Sequence, residues 1–181
     1  MGAVNATKST SERRIRKAIQ HAMITAGDDD SKSWRDNSTM AALNNVGLLL
    51  IDKPFALGPT IQIINIASYS HAYEGRAALI AGWGELCYTD TFSYDKLLVA
   101  EIVLGRNSHG ILHRELTKDR CYGDSGSPVV LESEVIGLVV CGYNCQNFAG
   151  LLPNFFIEIY PHLKWITLQT GGILASCPTI N

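Results

Sequence analysis

Short apolar runs, each bounded by turn-forming residues, constrain the fold of this chain most strongly. Clusters of Gly, Pro, Asn and Ser separate the runs. Regularly punctuated short strands predict an all-β barrel or sandwich rather than alternating βαβ units. The runs with the length and the β-branched or aromatic content of strands are Val46–Ile51, Thr60–Ile66, Ala77–Ala81, Leu97–Leu104, Pro128–Leu131, Val135–Val140 and Asn154–Ile159.

Two further segments have a helical spacing of apolar residues. Ile15–Met23 fits a helix and a strand about equally, so both interpretations stay open. His162–Leu168 places Leu163, Trp165 and Ile166 near one face, which predicts a short C-terminal helix.

Composition excludes several classes of protein. With 181 residues, 46% of them hydrophobic, the chain can fill one ordinary core and does not have the composition of a disordered protein. The net charge of -2 lacks the basic excess of a nucleic-acid-binding protein. No run reaches the roughly 18 apolar residues that a membrane span requires. The polar start, Met1 to Arg16, lacks the apolar stretch of a secretory signal peptide.

The five cysteines do not have the spacing of a zinc site, so we expect no structural metal. Their odd number leaves at least one thiol without a partner in the chain. If the chain stays in the cytosol, all of them can be reduced. Glycosylation sequons at Asn5 and Asn37 matter only if the chain is secreted.

One segment, Asp119 to Val130, has the pattern of a chemical site. Ser125 lies on a tight turn between Gly123 and Gly126. These glycines permit backbone angles at which the N–H groups of Gly123 and Ser125 point to one spot. Such a pair forms an oxyanion hole, which stabilises negative charge in a transition state.

This segment resembles the nucleophile loop of the chymotrypsin/trypsin-like serine proteases, Gly-Asp-Ser-Gly-Gly-Pro, with Ser127 in place of one glycine. The resemblance extends roughly from Ile15 to Ile166. Other segments that are similar to family motifs are Asn44–Leu49, Ala81–Gly84, Val135–Gly142, Pro153–Ile159 and Leu163–Ile166.

The resemblance implies a double Greek-key β-barrel with an incomplete first barrel and a short C-terminal helix. The expected organisation is a single peptidase domain over 1–181. It comprises a polar tail (1–14), a partial first barrel (15–80), a second barrel (81–160) and the helix (161–170). A complete protease of this kind has roughly 200–250 residues, so the chain is short for the family.

The resemblance assigns the nucleophile to Ser125 but leaves the rest of the triad incomplete. Asn45 stands where the family has the carboxylate, and an amide there lowers the rate about 10⁴-fold. Asp52, seven residues further along the same strand, is expected at its far end.

The family's Thr-Ala-Ala-His-Cys segment, which carries the catalytic histidine, is absent from the sequence. His21 is a weak candidate for the base, because its context resembles a non-catalytic histidine of the family. The other histidines, which we expect at the surface, are His71, His109, His113 and His162.

In active members the residue at Asp124 pairs with a new N-terminal ammonium group, and the sequence shows no Ile-Val-Gly-Gly start. A buried carboxylate without that partner is costly, so the loop is expected to be disordered or zymogen-like.

Some of the substrate-pocket positions match the family pattern and others depart from it. Asp119 matches the residue that binds substrate Arg or Lys, and Arg120 beside it could neutralise or fill that space. Gly142 matches a wall glycine, whereas Asn154 replaces another and should narrow the pocket. The resemblance implies a disulfide between Cys121 and Cys145 and gives no clear partner to Cys87, Cys141 and Cys177.

These residues predict a trypsin-like protease homologue with lost or strongly impaired peptide-bond hydrolysis. The alternative is an active or N-terminally truncated protease that cleaves after Arg or Lys with Ser125. The resemblance implies an extracellular monomer, a peptide or protein ligand in the cleft, and neither a cofactor nor a nucleic-acid or membrane partner.

Overall fold

The computed structural model describes residues 11–21, 44–68, 73–84, 96–107, 110–114, 124–141 and 154–172. The all-β prediction with a short C-terminal helix is confirmed. A 3-10 turn at Tyr160–His162 leads into helix α1, Leu163–Gln169. The strands are β1 Ile15–Gln20, β2 Gly47–Ile51, β3 Asn65–Ile66, β4 Ala77–Gly82, β5 Leu98–Asn107, β6 Gly110–Arg114, β7 Pro128–Leu131, β8 Glu134–Cys141 and β9 Asn154–Glu158.

Strands β4 to β9 are joined by antiparallel pairings that return to their starting point. β4 pairs with β5 and β7, β8 pairs with β7 and β9, and β6 pairs with β5 and β9. Each of the six strands therefore has a neighbour on both sides, which leaves no open sheet edge between them. The short strand β3 pairs in parallel with β8 outside this ring.

Side chains in the ring alternate between its inside and its outside. In β4, Ala78 and Ile80 are buried, whereas Leu79 between them is 46% exposed. This is the period-2 pattern of a sheet with one apolar face. The main core cluster comprises Ala67, Tyr73, Ala78, Ile80, Ile102, Leu104, Val129, Leu131, Ile136, Val139 and Phe156.

Strands β1 and β2 form a separate antiparallel sheet with a bulge near Ile15. A second apolar cluster connects this sheet with the ring and the helix. Its buried members are Val135, Ile159 and Ile166, and Leu48 of β2 packs against them. The C-terminal helix is thus held by its apolar face, which begins with Leu163.

The structure resolves the alternative left open for residues 15–23, because Ile15–Gln20 is a strand. The strand predicted over 60–66 is wrong except for its last two residues. A turn at Gly58–Ile61, with an isolated bridge between those residues, occupies the start of that run. Strand β6 was not predicted, and it pairs with the second half of β5, from Val103 opposite Arg114 to Asn107 opposite Gly110.

Strand β4 begins at Ala77 and pairs within the ring, so the ring includes residues that the sequence placed in the partial first barrel. In the part of the chain that the structure describes, no helix is long and apolar enough to cross a membrane.

Candidate active site

The nucleophile position lies on a four-residue turn between Asp124 and Ser127. The N–H of Ser127 donates a hydrogen bond to the carbonyl oxygen of Asp124 over 2.9 Å, and Gly126 has a φ of +84°. A positive φ at the third position is what a type II turn requires, and glycine adopts it without a steric penalty. Ser125 occupies the second position and is exposed.

Backbone hydrogen bonds attach this turn to strand β8. The N–H of Gly126 donates to the carbonyl oxygen of Val139 over 2.7 Å. The N–H of Val139 donates in return to the carbonyl oxygen of Ser127 over 2.9 Å. Because Val139 belongs to the main core cluster, the position of Ser125 is coupled to the packed interior of the ring.

The carboxylate of Asp124 is buried, with 5% of the residue exposed. The N–H of Gly84 donates to its Oδ1 over 3.0 Å, and this bond offsets part of the cost of burial. A Cβ atom at either Gly82 or Gly84 would overlap the carboxylate. Both glycines of the 81–84 segment are therefore required by Asp124, a role that sequence reasoning had not assigned to them.

Asn45, at the predicted position of the triad carboxylate, is exposed and lies just before β2. Its neighbour Val46 is buried, and the N–H of His21 donates to the carbonyl oxygen of Val46 over 3.1 Å. Asp52 follows the other end of β2, where it accepts a hydrogen bond from the N–H of Arg14. Asn45 and Asp52 therefore lie at opposite ends of β2.

The imidazole ring of His21 lies against the C-terminal helical segment. Its centroid is 5.5 Å from the ring of His162, in an edge-on arrangement, and 5.0 Å from the ring of Trp165. His162 is 6% exposed, so the prediction of a surface histidine at this position is wrong. It sits in the turn that leads into α1, where packing of the helix onto the ring excludes water.

Several predicted site residues lie outside the described part of the chain. They are Asp119, Arg120, Cys121, Gly123, Gly142 and Cys145, together with Cys87, Cys177, Asn5, Asn37, His71 and His109. The second oxyanion-hole amide, most of the substrate pocket and the disulfide therefore stay predictions. The expected disorder of the nucleophile loop also stays a prediction for residues 119–123, whereas residues 124–127 form the hydrogen-bonded turn described above.

Three other positions are described by their backbone. Asn154 begins β9 opposite His113 of β6, and Cys141 ends β8 opposite Phe155. Within the described ranges, no group of three or more His, Cys, Asp or Glu side chains could hold a metal ion.

Comparisons with known proteins agree with this architecture. The family model "Trypsin" matches residues 4–166. Trypsin theta of Drosophila erecta is 28% identical over 147 residues, which cover 72% of this chain and 55% of that protein. A trypsin of Squalus acanthias is 28% identical over 178 residues, 86% of this chain and 76% of the relative. The chain thus spans about half the length of trypsin theta.

Among solved structures, the mouse serine protease neuropsin superimposes with a TM-score of 0.71 at 19% identity. The match covers 94% of this chain and 77% of neuropsin, which shows a shared fold. The predicted all-β, trypsin-like fold with a short C-terminal helix is therefore confirmed. Since the family model spans most of the sequence, the chain belongs to the trypsin family of serine proteases.

Proposed function

We propose that this chain is a trypsin-family homologue that binds peptides or proteins but has little or no peptidase activity. Like its secreted relatives, it acts outside the cell. The single observation that carries the proposal is the exposed amide of Asn45 before β2, where the family has a carboxylate.

An amide at this position removes the charge that stabilises a protonated histidine. The carboxylate of a serine triad also fixes the histidine tautomer, and its replacement by an amide costs about 10⁴ in rate. The carboxylate of Asp52 offers no substitute, since it follows the opposite end of β2 and accepts a backbone hydrogen bond there.

The packing of His21 supports the same conclusion. To act as the base for Ser125, the ring of His21 would have to lie within hydrogen-bond distance of the serine hydroxyl and accept its proton. Instead the ring packs edge-on against His162 and next to Trp165. These contacts favour a structural role for His21 between β1 and the helix.

The loop architecture, in contrast, is suited to binding. Ser125 is exposed on a turn held by two backbone hydrogen bonds to Val139. A preorganised, exposed turn can bind an extended peptide with little ordering cost. Loss of the catalytic charge does not affect this framework, so peptide binding can persist without cleavage.

The test measures labelling of the full chain by a fluorophosphonate probe and hydrolysis of chromogenic Arg and Lys substrates. We expect no labelling or turnover above that of the matched Ser125→Ala variant. Probe attachment at Ser125 together with cleavage after Arg or Lys would overturn the proposal. That outcome would favour the active protease suggested by Asp119, six residues before Ser125.

A second arm restores the carboxylate by Asn45→Asp. We expect this variant to remain inactive, because His21 is engaged by the helical segment and does not serve as the base. A gain in hydrolysis in the Asn45→Asp variant that is lost again when Ser125→Ala is added would contradict this role of His21.

A further inference from the structure

Strand β1 and the two residues before it carry a dense run of cationic side chains. The run from Arg13 to Lys17 is cationic at every position except Ile15. Arg14, Arg16 and Lys17 are all exposed. Short segments rich in Lys and Arg are typical of surfaces that bind polyanions, because they concentrate positive potential.

Contacts at the end of β2 bring Lys53 next to this run. The Nε of Arg13 donates to the carbonyl oxygens of Lys53 and Pro54 over 3.1 and 3.0 Å. The N–H of Asp52 donates to the carbonyl oxygen of Arg14 over 2.9 Å. Lys53 is therefore held beside the start of β1, and it is exposed. The basic cluster, as it is called below, consists of Arg14, Arg16, Lys17 and Lys53.

A bulge in β1 lies within the basic cluster. Ile15 pairs with Ile51 and Lys17 pairs with Leu50, so Arg16 is an extra residue in this pairing. Such a residue interrupts the strict alternation of sides along a strand and re-aims the side chains beside it. Arg16 and Lys17, which a regular strand would place on opposite faces, are thus released from that constraint.

The described carboxylates near the basic cluster do not neutralise it. The Oδ1 of Asp52 accepts a hydrogen bond from the backbone N–H of Arg14 over 3.2 Å. Within the described ranges, neither Glu12 nor any side chain of the basic cluster takes part in an ion pair. Four exposed cations without counter-charges repel one another, and a bound polyanion relieves that repulsion.

The charge of the chain is divided unevenly along the sequence. Residues 1–55 contain eight cationic and six anionic side chains, whereas residues 56–181 contain seven and eleven. The first part therefore keeps a positive balance even with every carboxylate of 1–10 and 22–43 counted. In a chain whose net charge is -2, this asymmetry indicates a local site for a polyanion rather than a general affinity for anions.

We propose that the basic cluster binds a linear sulfated polysaccharide. Sulfate groups repeat along such a chain and stay ionised at physiological pH, so several of them contact the cluster at once. The guanidinium groups of Arg14 and Arg16 donate paired N–H groups to sulfate oxygens, and the ammonium groups of Lys17 and Lys53 add point charges. The choice of a polysaccharide rests on the extracellular location proposed above.

Two other classes of polyanion fit the described surface less well. Proteins that bind single-stranded nucleic acid stack its bases on open aromatic side chains. Phe55, the aromatic residue in contact with this region, is half-buried, and the guanidinium group of Arg13 lies 4.5 Å above its ring. Anionic lipids are concentrated in the cytoplasmic leaflet of cell membranes, away from an extracellular chain.

The test measures binding of the full chain to immobilised heparin, a sulfated polysaccharide, by surface plasmon resonance. We expect saturable binding that weakens roughly 100-fold between about 50 and 200 mM salt, because about four cations each release a counterion from the polyanion. Heparin from which the sulfate groups have been removed should not compete for the site.

Two double variants locate the site. Arg16→Glu with Lys17→Glu reverses two charges in the basic cluster and should weaken heparin binding by roughly tenfold or more. Lys96→Glu with Lys164→Glu makes the same change in net charge at exposed positions outside the cluster and should leave binding nearly unchanged. Lys53→Glu, which lies outside the strands, should weaken binding several-fold and does not depend on the folding of an altered β1.

Absence of binding to heparin, or equal effects of the two double variants, would overturn the proposal, because binding would then not depend on the basic cluster. So would competition by the desulfated polysaccharide, or tighter binding to double-stranded DNA or to phosphatidylserine vesicles at the same salt concentration. Ser125→Ala should bind heparin as the unmodified chain does. Since hydrolysis of Arg and Lys substrates is measured separately, the proposed loss of catalysis and the proposed polysaccharide site can each fail without the other.

Discussion

The six-stranded ring and the two-stranded sheet consist of similar apolar strands but bury them to very different extents. On the inner face of the ring Ile80 and Leu131 are 0% and 5% exposed, whereas Leu48, which packs against the cluster under the helix, is only half-buried. The difference lies in the pairing, since ring strands have two neighbours and enclose one face. Closure, more than composition, therefore determines how much apolar surface a strand removes from water.

The largest expected effect comes from a cavity inside the ring. Ile80→Ala removes a fully buried side chain from the main core cluster and should lower the free energy of unfolding by about 2–5 kcal/mol. Urea denaturation monitored by circular dichroism measures the loss. Ala81→Gly, at the next position of the same strand and outside the main core cluster, is the control for a substitution in β4 that removes no core side chain. A smaller loss in the free energy of unfolding for Ile80→Ala than for Ala81→Gly would show that the ring does not form the stable core.

A clash at the nucleophile loop should have the next largest effect. Gly82→Ala places a Cβ atom onto the buried carboxylate of Asp124, and the strain should cost about 1–3 kcal/mol. The matched control is Gly58→Ala, where the added atom meets nothing within 4 Å. Equal stability of the two variants in thermal denaturation would contradict the close fit between Asp124 and Gly82.

Individual residues explain which features could be predicted from the sequence. Val129 and Ile136 lie in apolar runs bounded by turn residues, so local pattern sufficed to place β7 and β8. The pattern around Ile63 and Ile64 was equally apolar, yet these residues are exposed and lie outside any strand. A strand needs a neighbour, and the presence of a neighbour depends on distant parts of the chain.

In the candidate site, too, features set by local sequence could be predicted and features set by distant residues could not. The turn at Ser125 could be predicted because Gly126 is required locally by its positive φ. Burial of His162 and the need for Gly84 beside Asp124 could not, since both depend on residues that the fold brings from far along the chain. Family resemblance assigned Asn45 its position, but no local pattern distinguishes it from an ordinary loop asparagine.

A small gain in stability is expected at the hairpin that joins β7 and β8. Glu132 and Ser133 have φ values of 49° and 70°, in the left-handed region that favours glycine or asparagine. Ser133→Gly relieves this strain and should raise the free energy of unfolding by about 0.5 kcal/mol. Ser127→Gly serves as a control outside the hairpin. A loss of stability in the Ser133 variant would show that its side chain makes a contact worth more than the strain.

The smallest effect is expected in the two-stranded sheet. Leu49→Ser should change the free energy of unfolding by less than about 0.5 kcal/mol, because the leucine side chain is already largely in water. Leu131→Ser makes the same chemical change inside the ring and should be strongly destabilising. Both variants can be compared by urea denaturation at two protein concentrations. A large, concentration-dependent loss for Leu49→Ser would mean that a second copy of the chain covers Leu49 in solution. The comparison between ring and sheet would then describe an isolated chain and not the form present in solution.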